Sequence, residues 1–288
     1  MKARFWAPLL ALAASCAQAD VVAVDDTGTT VALARPATRI VSLAPHATEL
    51  LYAVGAGAAI VGTVDTSDFP PAAKSIPRIG DVRALDLERI VALAPDLVVT
   101  WPWTAPAQVD LLRARGVAVF TTKPATIEGI AGDMERLGAL TGHPDVAAGA
   151  AATFRTRLAE LRARYRAATR VRVFYEIWDA PLYTVGGGHL ITQALAACGG
   201  ENVFMALTLP AAAVDVEAVL AAKPDAIIAG AEGGGRPEWL DRWRRWPGLP
   251  AVARGHLFVV DADLLHRPGP RFLEGVEGLC AAVDRART

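Results

Sequence analysis

Leu85 to Trp101 reads LDLERIVALAPDLVVTW, and Val214 to Gly230 reads VDVEAVLAAKPDAIIAG. Laid over each other, Asp86 meets Asp215, Glu88 meets Glu217, Ala92 meets Ala221, Pro95 meets Pro224 and Asp96 meets Asp225. Each copy has the same physical grammar. The first Asp suits a helix N-cap, where its carboxylate accepts from the free amides of the first turn. The Glu two residues on falls in that turn, where the helix dipole favours negative charge. In the first copy Leu87, Ile90, Val91 and Ala94 mark one buried helix face. Pro95 stops the helix, and Leu97-Val98-Val99 follows as a buried strand. A helix, stop and strand repeated about half a chain apart predicts two similar α/β lobes.

Outward from the repeat, the rest of the chain falls into the same units. Val21 to Ala34 is β-rich around an Asp-Asp-Thr-Gly turn and predicts a hairpin. Arg39 to Leu43 and Ile60 to Asp65 predict strands, with a helix from Ala47 to Val54 between them, closed by Gly55. A helix from Ala107 to Arg115 and a strand from Val117 to Thr121 complete the first lobe. Thr126 to Thr141 and Pro144 to Ala168 then read as helices with no strand between them, a stiff connector. Along the second, Phe154, Leu158, Leu161 and Tyr165 keep helical spacing. Arg155, Arg157, Arg162, Arg164 and Arg166, with Glu160, read as a solvated face. The second lobe opens with a strand from Val171 to Ile177, and a last helix starts near Arg271. The division is therefore residues 20–124, an N-terminal α/β lobe; residues 125–169, connector helices; and residues 170–288, a C-terminal α/β lobe.

The chain has 288 residues, of which 53% are hydrophobic, enough for two real cores. Its first 19 residues are different. Lys2 and Arg4 make a basic start, Phe5 to Ala14 a short apolar core, and Ala17-Gln18-Ala19 offers small residues before Asp20. That is the plan of a cleavable secretory signal peptide, and it places the mature protein in the periplasm. Lipid anchoring at Cys16 is the lesser alternative, because the residue three before it is small. Losing Lys2 and Arg4 takes the formal charge from −1 to −3, which excludes a nucleic-acid binder on charge grounds. The mature chain keeps Cys198 and Cys280. An even count in an exported protein reads as one disulfide, against the alternative of two separate buried thiols.

No catalytic pattern emerges. The five His are scattered without metal-ligand spacing, and no metal site is expected. Ser42 and Ser67 lack a nucleophile-elbow context, and no carboxylate pair stands out. Aromatic placement is more telling. In open α/β sheets ligands sit beyond the carboxyl ends of the strands. Phe69, Trp101, Trp103 and Trp178 each follow a predicted strand, and they come from both lobes. Tyr183 and the Asp263-Leu264-Leu265-His266-Arg267 segment fall in comparable loops. Rings meeting across a cleft suit a large, flat, partly apolar ligand. Trp239, Trp243 and Trp246, spaced along a predicted helix, read instead as core.

RIVSLAPHATELLYAVGAG, SDFPP, LDLERIVALAPDLVVTW, CGGENVF and DADLLHRPGPR together resemble the substrate-binding proteins of ABC importers whose lobes are joined by one long helix. Within that family they resemble the members that carry cobalamin (vitamin B12). The resemblance spans nearly the whole mature chain. It implies two α/β lobes with little hinge closure, and a corrinoid held between them as transported ligand, with no cofactor. It also implies delivery to a membrane permease. Carried over residue by residue, it makes Phe69, Trp101, Tyr183, Asp263 and Arg267 ligand-binding positions, to which the aromatic pattern adds Trp103 and Trp178. Glu88 and Glu217 match the exposed glutamates that dock the permease, and Cys198 and Cys280 match a disulfide. The chain departs from the pattern at Val82 and near Ala211, where the B12 carriers have tryptophan. Phe69 replaces a tyrosine.

Three other readings remain open. A haem carrier needs a Tyr or His at the iron, and Tyr175, Tyr183, His46 and His266 are candidates. A ferric-siderophore carrier asks for more cleft arginine than Arg78, Arg83 and Arg267 supply. An exported enzyme would have to use His46 or His266, without the partners such chemistry needs.

Overall fold

The computed structural model describes residues 21–81 and 84–288. In it the two sequence copies are built alike down to single hydrogen bonds. Asp86 accepts from the Arg89 amide at 2.9 Å, and Asp215 from the Ala218 amide at 2.7 Å. Each satisfies a free donor of the first helical turn. Each helix then closes on a non-glycine residue in the left-handed region, Ala94 at φ 45° and Lys223 at φ 46°. A proline follows in both, and it disfavours the helical region for the residue before it. The next aspartate reaches back to the strand beside it. Asp96 accepts from the amides of Thr38 and Arg39, and Asp225 from that of Arg172. One expectation needs correction. Ala94 is not on the buried helix face; it lies beyond the helix and is exposed.

The chain begins with an antiparallel hairpin, β1 (Val21–Val24) and β2 (Thr30–Leu33). Then come β3 (Ile40–Ser42), α1 (Pro45–Ala53) and β4 (Ile60–Thr63). The two-residue strands β5 (Gly80–Asp81) and β6 (Ala84–Leu85) precede α2 (Leu87–Ala92) and β7 (Leu97–Thr100). α3 (Pro106–Ala114) and β8 (Ala118–Thr121) complete the lobe. Its sheet runs β4-β3-β7-β8, all parallel. α1 begins two residues earlier than the sequence suggests, because Pro45 sits at its start, where a missing N–H costs nothing.

Two helices follow, α4 (Ile127–Thr141) and α5 (Pro144–Tyr165). At 22 residues α5 spans about 33 Å. Gly138 lets it pack closely on α4, since a Cβ there would collide with Ala147. The expected arginine face is exposed, but it also reaches sideways. Arg155 pairs with Glu135 on α4, and Arg162 with Glu128. Such exposed pairs add about 0–1 kcal/mol each and serve mainly to orient.

The second lobe contains β9 (Val171–Asp179), β10 (Leu182–Val185), α6 (Leu190–Ala197) and β11 (Gly200–Asn202). β12 (Ala211–Ala213), α7 (Val216–Ala222), β13 (Ala226–Ala231) and α8 (Pro250–Ala253) come next. β14 (Leu257–Asp261), α9 (Ala262–Leu265) and α10 (Phe272–Arg285) finish the chain. β9, β13 and β14 are parallel, β11 pairs parallel with the first half of β9, and β10 folds back antiparallel on its second half. β9 is longer than expected. Trp178 and Tyr183 are therefore not in loops: they face each other across the β9–β10 ladder. The Trp239–Trp246 stretch is a 3-10 helix (Glu238–Arg245) rather than an α-helix. Trp243 is fully buried, donates to Glu176 at 2.8 Å and packs against Phe174. Trp239 and Trp246 pack partly buried against the same cluster.

One apolar cluster joins Val99 and Phe120 of the first sheet, Leu137 and Phe154 of the connector, and Val173 and Ile228 of the second sheet. A disulfide links Cys198, at the end of α6, to Cys280 in α10, with Cα atoms 4.8 Å apart. No described helix is long and apolar enough to cross a membrane. The leader and Cys16 lie outside the described residues, as do Val82 and Arg83.

Candidate functional site

Parallel strands aim their carboxyl ends the same way within each sheet, and the residues just past those ends meet between the lobes. From the first lobe come His46, after β3, and Trp101, after β7. From the second come Glu232, after β13, and Asp263, His266 and Arg267, in and after α9. These line a cavity of about 290 Å³. Three of the residues expected from sequence thus come together: Trp101, Asp263 and Arg267.

The lobes are bridged beside this cavity by charge. Arg267 donates to Asp263 of its own lobe at 2.8 Å and to Asp68 of the other at 2.6 Å. Burial alone would raise the Asp68 carboxyl, but the bond and charge of Arg267 prevail and hold it below its ordinary value. Arg271 spans the same gap. It donates to both oxygens of the buried Glu49, at 2.9 and 2.6 Å, the two-pronged geometry that suits guanidinium and carboxylate. Its guanidinium also lies 3.8 Å from the centre of the Phe69 ring, a cation–π contact. Phe69 therefore sits at the lobe junction, beside the cavity rather than in its lining. Glu49 and Arg271 were missed from sequence. Neither stands in an aromatic or strand-end pattern, and only their pairing across 222 residues gives them a role.

The other expected aromatics are exposed and do not line the cavity. Trp103 is 76% exposed, with its ring centre 6.4 Å from that of Trp101. Trp178 is 57% and Tyr183 37% exposed on the β9–β10 hairpin.

The two histidines weighed from sequence behave differently from ligating or catalytic groups in solution. His46 is buried, and its ring centre lies 5.3 Å from that of Trp101. Burial first, and the charge of Arg267 second, push its pKa down to about 3, so it is neutral at any physiological pH. Its Nε2 bonds Thr122 Oγ1 at 2.9 Å, while its Nδ1 has no hydrogen-bond partner. Trp101 Nε1 likewise has none. An unmatched buried polar atom costs about 1–3 kcal/mol, so two on rings 5.3 Å apart call for a reason. His266 Nε2 bonds the hydroxyl of Tyr175 at 3.1 Å. Gly230 makes room for both groups, since a Cβ there would lie 2.6 Å from the Tyr175 oxygen and 3.0 Å from His266 Nε2. Tyr175 is fully buried and its pKa is raised by that burial, so it is poorly placed to ligate an iron. Arg78 donates to the carbonyls of Val64 and Ser67 and so braces a loop. Among the described residues no group of His, Cys, Asp and Glu is arranged to hold a metal ion.

A cleft at the strand ends of two α/β lobes, joined by one long helix, defines a bilobed ligand-capturing protein. The family model described as periplasmic binding protein matches residues 40–264, and the chain belongs to that family. It is 35% identical to the vitamin B12-binding protein of Vibrio cholerae serotype O1 over 254 residues, covering 88% of this chain and 91% of that protein. It is 34% identical to the vitamin B12-binding protein of Photorhabdus laumondii, covering 85% of this chain and 88% of the relative. Among solved structures it is similar to the periplasmic vitamin B12 binding protein BtuF of Vibrio cholerae. There the TM-score is 0.79 and the identity 33%, over 88% of this chain and 99% of the other. The periplasmic heme-binding protein RhuT of Roseiflexus sp. RS-1 is also similar, with a TM-score of 0.76 and 26% identity over 86% and 98%.

Proposed function

We propose that this protein captures cobalamin in the interlobe cleft, in the periplasm, and delivers it to the permease of an ABC importer. What supports the ligand most is the full-length likeness to proteins named for vitamin B12 binding, joined to a cleft of matching chemistry. A half-open cavity of about 290 Å³ is at the lower limit for a drug-sized molecule. A corrinoid must therefore rest largely on the rim. The exposed rings of Trp103, Trp178, Tyr183 and Phe69 are suited to its flat, apolar faces. Asp263 and Arg267 would bind its polar edge, with Trp101 at the floor. Residues 1–19 would direct export and be removed. Glu88 and Glu217 would meet the permease, one from each lobe.

The test is a titration of the mature protein with cyanocobalamin, hemin and a ferric siderophore, followed by tryptophan fluorescence. Cyanocobalamin should quench strongly and saturate at one equivalent. In Trp101→Ala its affinity should fall by about 1–3 kcal/mol, the range for a buried aromatic contact. Saturation by hemin with no response to cyanocobalamin would replace the cobalamin reading with the haem one.

A further inference from the structure

A second cavity lies at the end of the connector, apart from the cleft. It is half-open, measures about 360 Å³ and is lined by Arg162, Tyr165, Arg166, Arg170, Gln193 and Gly199, with alanines between. Arg170 immediately precedes β9, and Gly199 immediately precedes β11, which pairs parallel with β9. The cavity therefore sits at the amino ends of those strands, the edge of the second sheet opposite to the cleft. Its walls are tied from several sides. Arg162 pairs with Glu128 of α4. The Gln193 side chain accepts from the Ile127 amide at 3.2 Å and donates to the Ala125 carbonyl at 2.8 Å. Arg287 donates to the carbonyl of Thr169 at 2.9 Å and to that of Cys198, whose sulfur is in the disulfide. Gly199, at φ 71°, lets these segments close up. A Cβ there would lie 2.8 Å from the Arg287 guanidinium and 3.3 Å from the Ala168 Cβ.

The charge of this cavity is one-sided. Three arginines line it, and among the described residues no carboxylate does. Glu128 offsets Arg162, and Asp284 offsets Arg287 behind the wall. Arg166 and Arg170 have no such match: among the described residues neither is in an ion pair or a side-chain hydrogen bond. The helix dipole favours a cation in the last turn of α5, where Arg162 stands. It gives no reason for Arg170, which lies beyond the helix at the start of a strand yet lines the same cavity. Guanidinium groups suit phosphate oxygens, which they grip in pairs. A phosphate ester brings several acceptor oxygens and up to two charges, enough for two unmatched arginines. The volume leaves room for its organic substituent.

We propose that this cavity binds a phosphate ester, with Arg166 and Arg170 as its anion-binding residues. The ester is either a soluble one or the headgroup of a lipid, and the chemistry recognised is the same in both. The site is separate from the cleft and does not rest on the cobalamin reading.

The experiment titrates the mature protein with glycerol 3-phosphate by calorimetry at low salt. In parallel, the protein is sedimented with vesicles of phosphatidylglycerol or of phosphatidylcholine. Glycerol 3-phosphate should bind at one equivalent, more weakly as salt is added. Arg166→Gln combined with Arg170→Gln should lower its affinity about ten-fold or more. Both side chains are exposed, so melting temperature and cyanocobalamin titration should stay near those of the parent. Arg170→Lys keeps the charge and loses the fork, and it should still weaken binding several-fold. Binding of the free ester supports a soluble source. Sedimentation with phosphatidylglycerol alone, without binding of the free ester, supports a lipid headgroup. Binding of neither probe overturns the inference. So does binding that is unchanged in the double variant or in Arg170→Lys, which would report only a diffuse positive surface. Competition between glycerol 3-phosphate and cyanocobalamin would put the ester in the cleft and overturn it as well. Failure of cyanocobalamin to bind would overturn the cobalamin reading and leave this one standing.

Discussion

Asp133 and Asp26 share one guanidinium, that of Arg136. Asp133 is fully buried, and one of its oxygens has no partner. Burial first, then the charge of Asp26, raise its pKa to about 8, against the opposing pull of Arg136. The sign of the consequence follows by linkage. The folded protein holds this proton up to about pH 8, while the unfolded chain releases it near the ordinary value of 3.8. Between those values the folded state binds more protons, so the stability it gains from the protonated form is lost as pH rises through the window. Asp133→Asn should keep the Arg136 contact through its oxygen and remove the titration. We expect the variant to lose the decline in melting temperature between about pH 4 and 8, and to gain about 1–3 kcal/mol at the alkaline end, the cost of an ill-matched buried polar group. An unchanged slope would place the proton elsewhere. None of this was legible in the sequence. Asp26 and Asp133 are 107 residues apart in the numbering, and burial, not residue type, decides which acid stays protonated. The same holds for His46. Its position past a strand was visible, but its bond to Thr122 was not, because no pattern links the two.

At the scale of elements, the disulfide ties the end of α6 to the middle of α10, across a separation of 82 residues. Closing a loop of that length removes about 4–5 kcal/mol of unfolded-state freedom in the chain-entropy model. Replacing Cys198 and Cys280 together by Ser should lower stability by about 2–5 kcal/mol. The urea midpoint would show it. Intact mass of freshly exported protein, alkylated before and after reduction, should find both sulfurs oxidised; free thiols there would show that the bond does not form on export. Elements were the most legible level. Asp86, Thr126 and Asp215 cap helices as their types predict, and Gly55 and Gly142 close helices at positive φ. Errors gathered where tertiary pairing overrides local preference. β9 outran its apolar stretch because β10 folds back on it, which moved Trp178 and Tyr183 from loops into a ladder. The Trp239–Trp246 segment winds as a 3-10 helix, set by where Trp243 must be buried rather than by helix periodicity. Trp101 beside the cleft was legible because the end of its strand can be read from sequence. The Glu49–Arg271 bridge was not, because salt bridges between lobes follow from how lobes are set side by side.

Across the whole molecule, the continuous core through α4 and α5 and the bridges of Arg267 and Arg271 hold the lobes in one arrangement. Glu88 and Glu217 are then carried at a fixed separation, each in the first turn of the equivalent helix, each exposed, and among the described residues neither in an ion pair. Favourable placement at a helix start accounts for about 0.3–1 kcal/mol at each. That alone gives no reason for both to stay unpaired on the surface, since Asp86 and Asp215 already serve the two helix ends. A two-fold permease gives one, because a pseudo-two-fold binding protein presents it with one acid per lobe. Charged contacts of this kind set orientation and association rate more than ligand binding. Glu88→Arg combined with Glu217→Arg should therefore leave cyanocobalamin affinity and melting temperature near those of the parent. In reconstituted transporter the pair should abolish stimulation of ATP hydrolysis and uptake, and each single reversal should lower both in part. Normal transport by the double variant would make these glutamates helix-start residues and nothing more. Joint loss of ligand binding and fold would show that their surroundings, not a docking partner, require them.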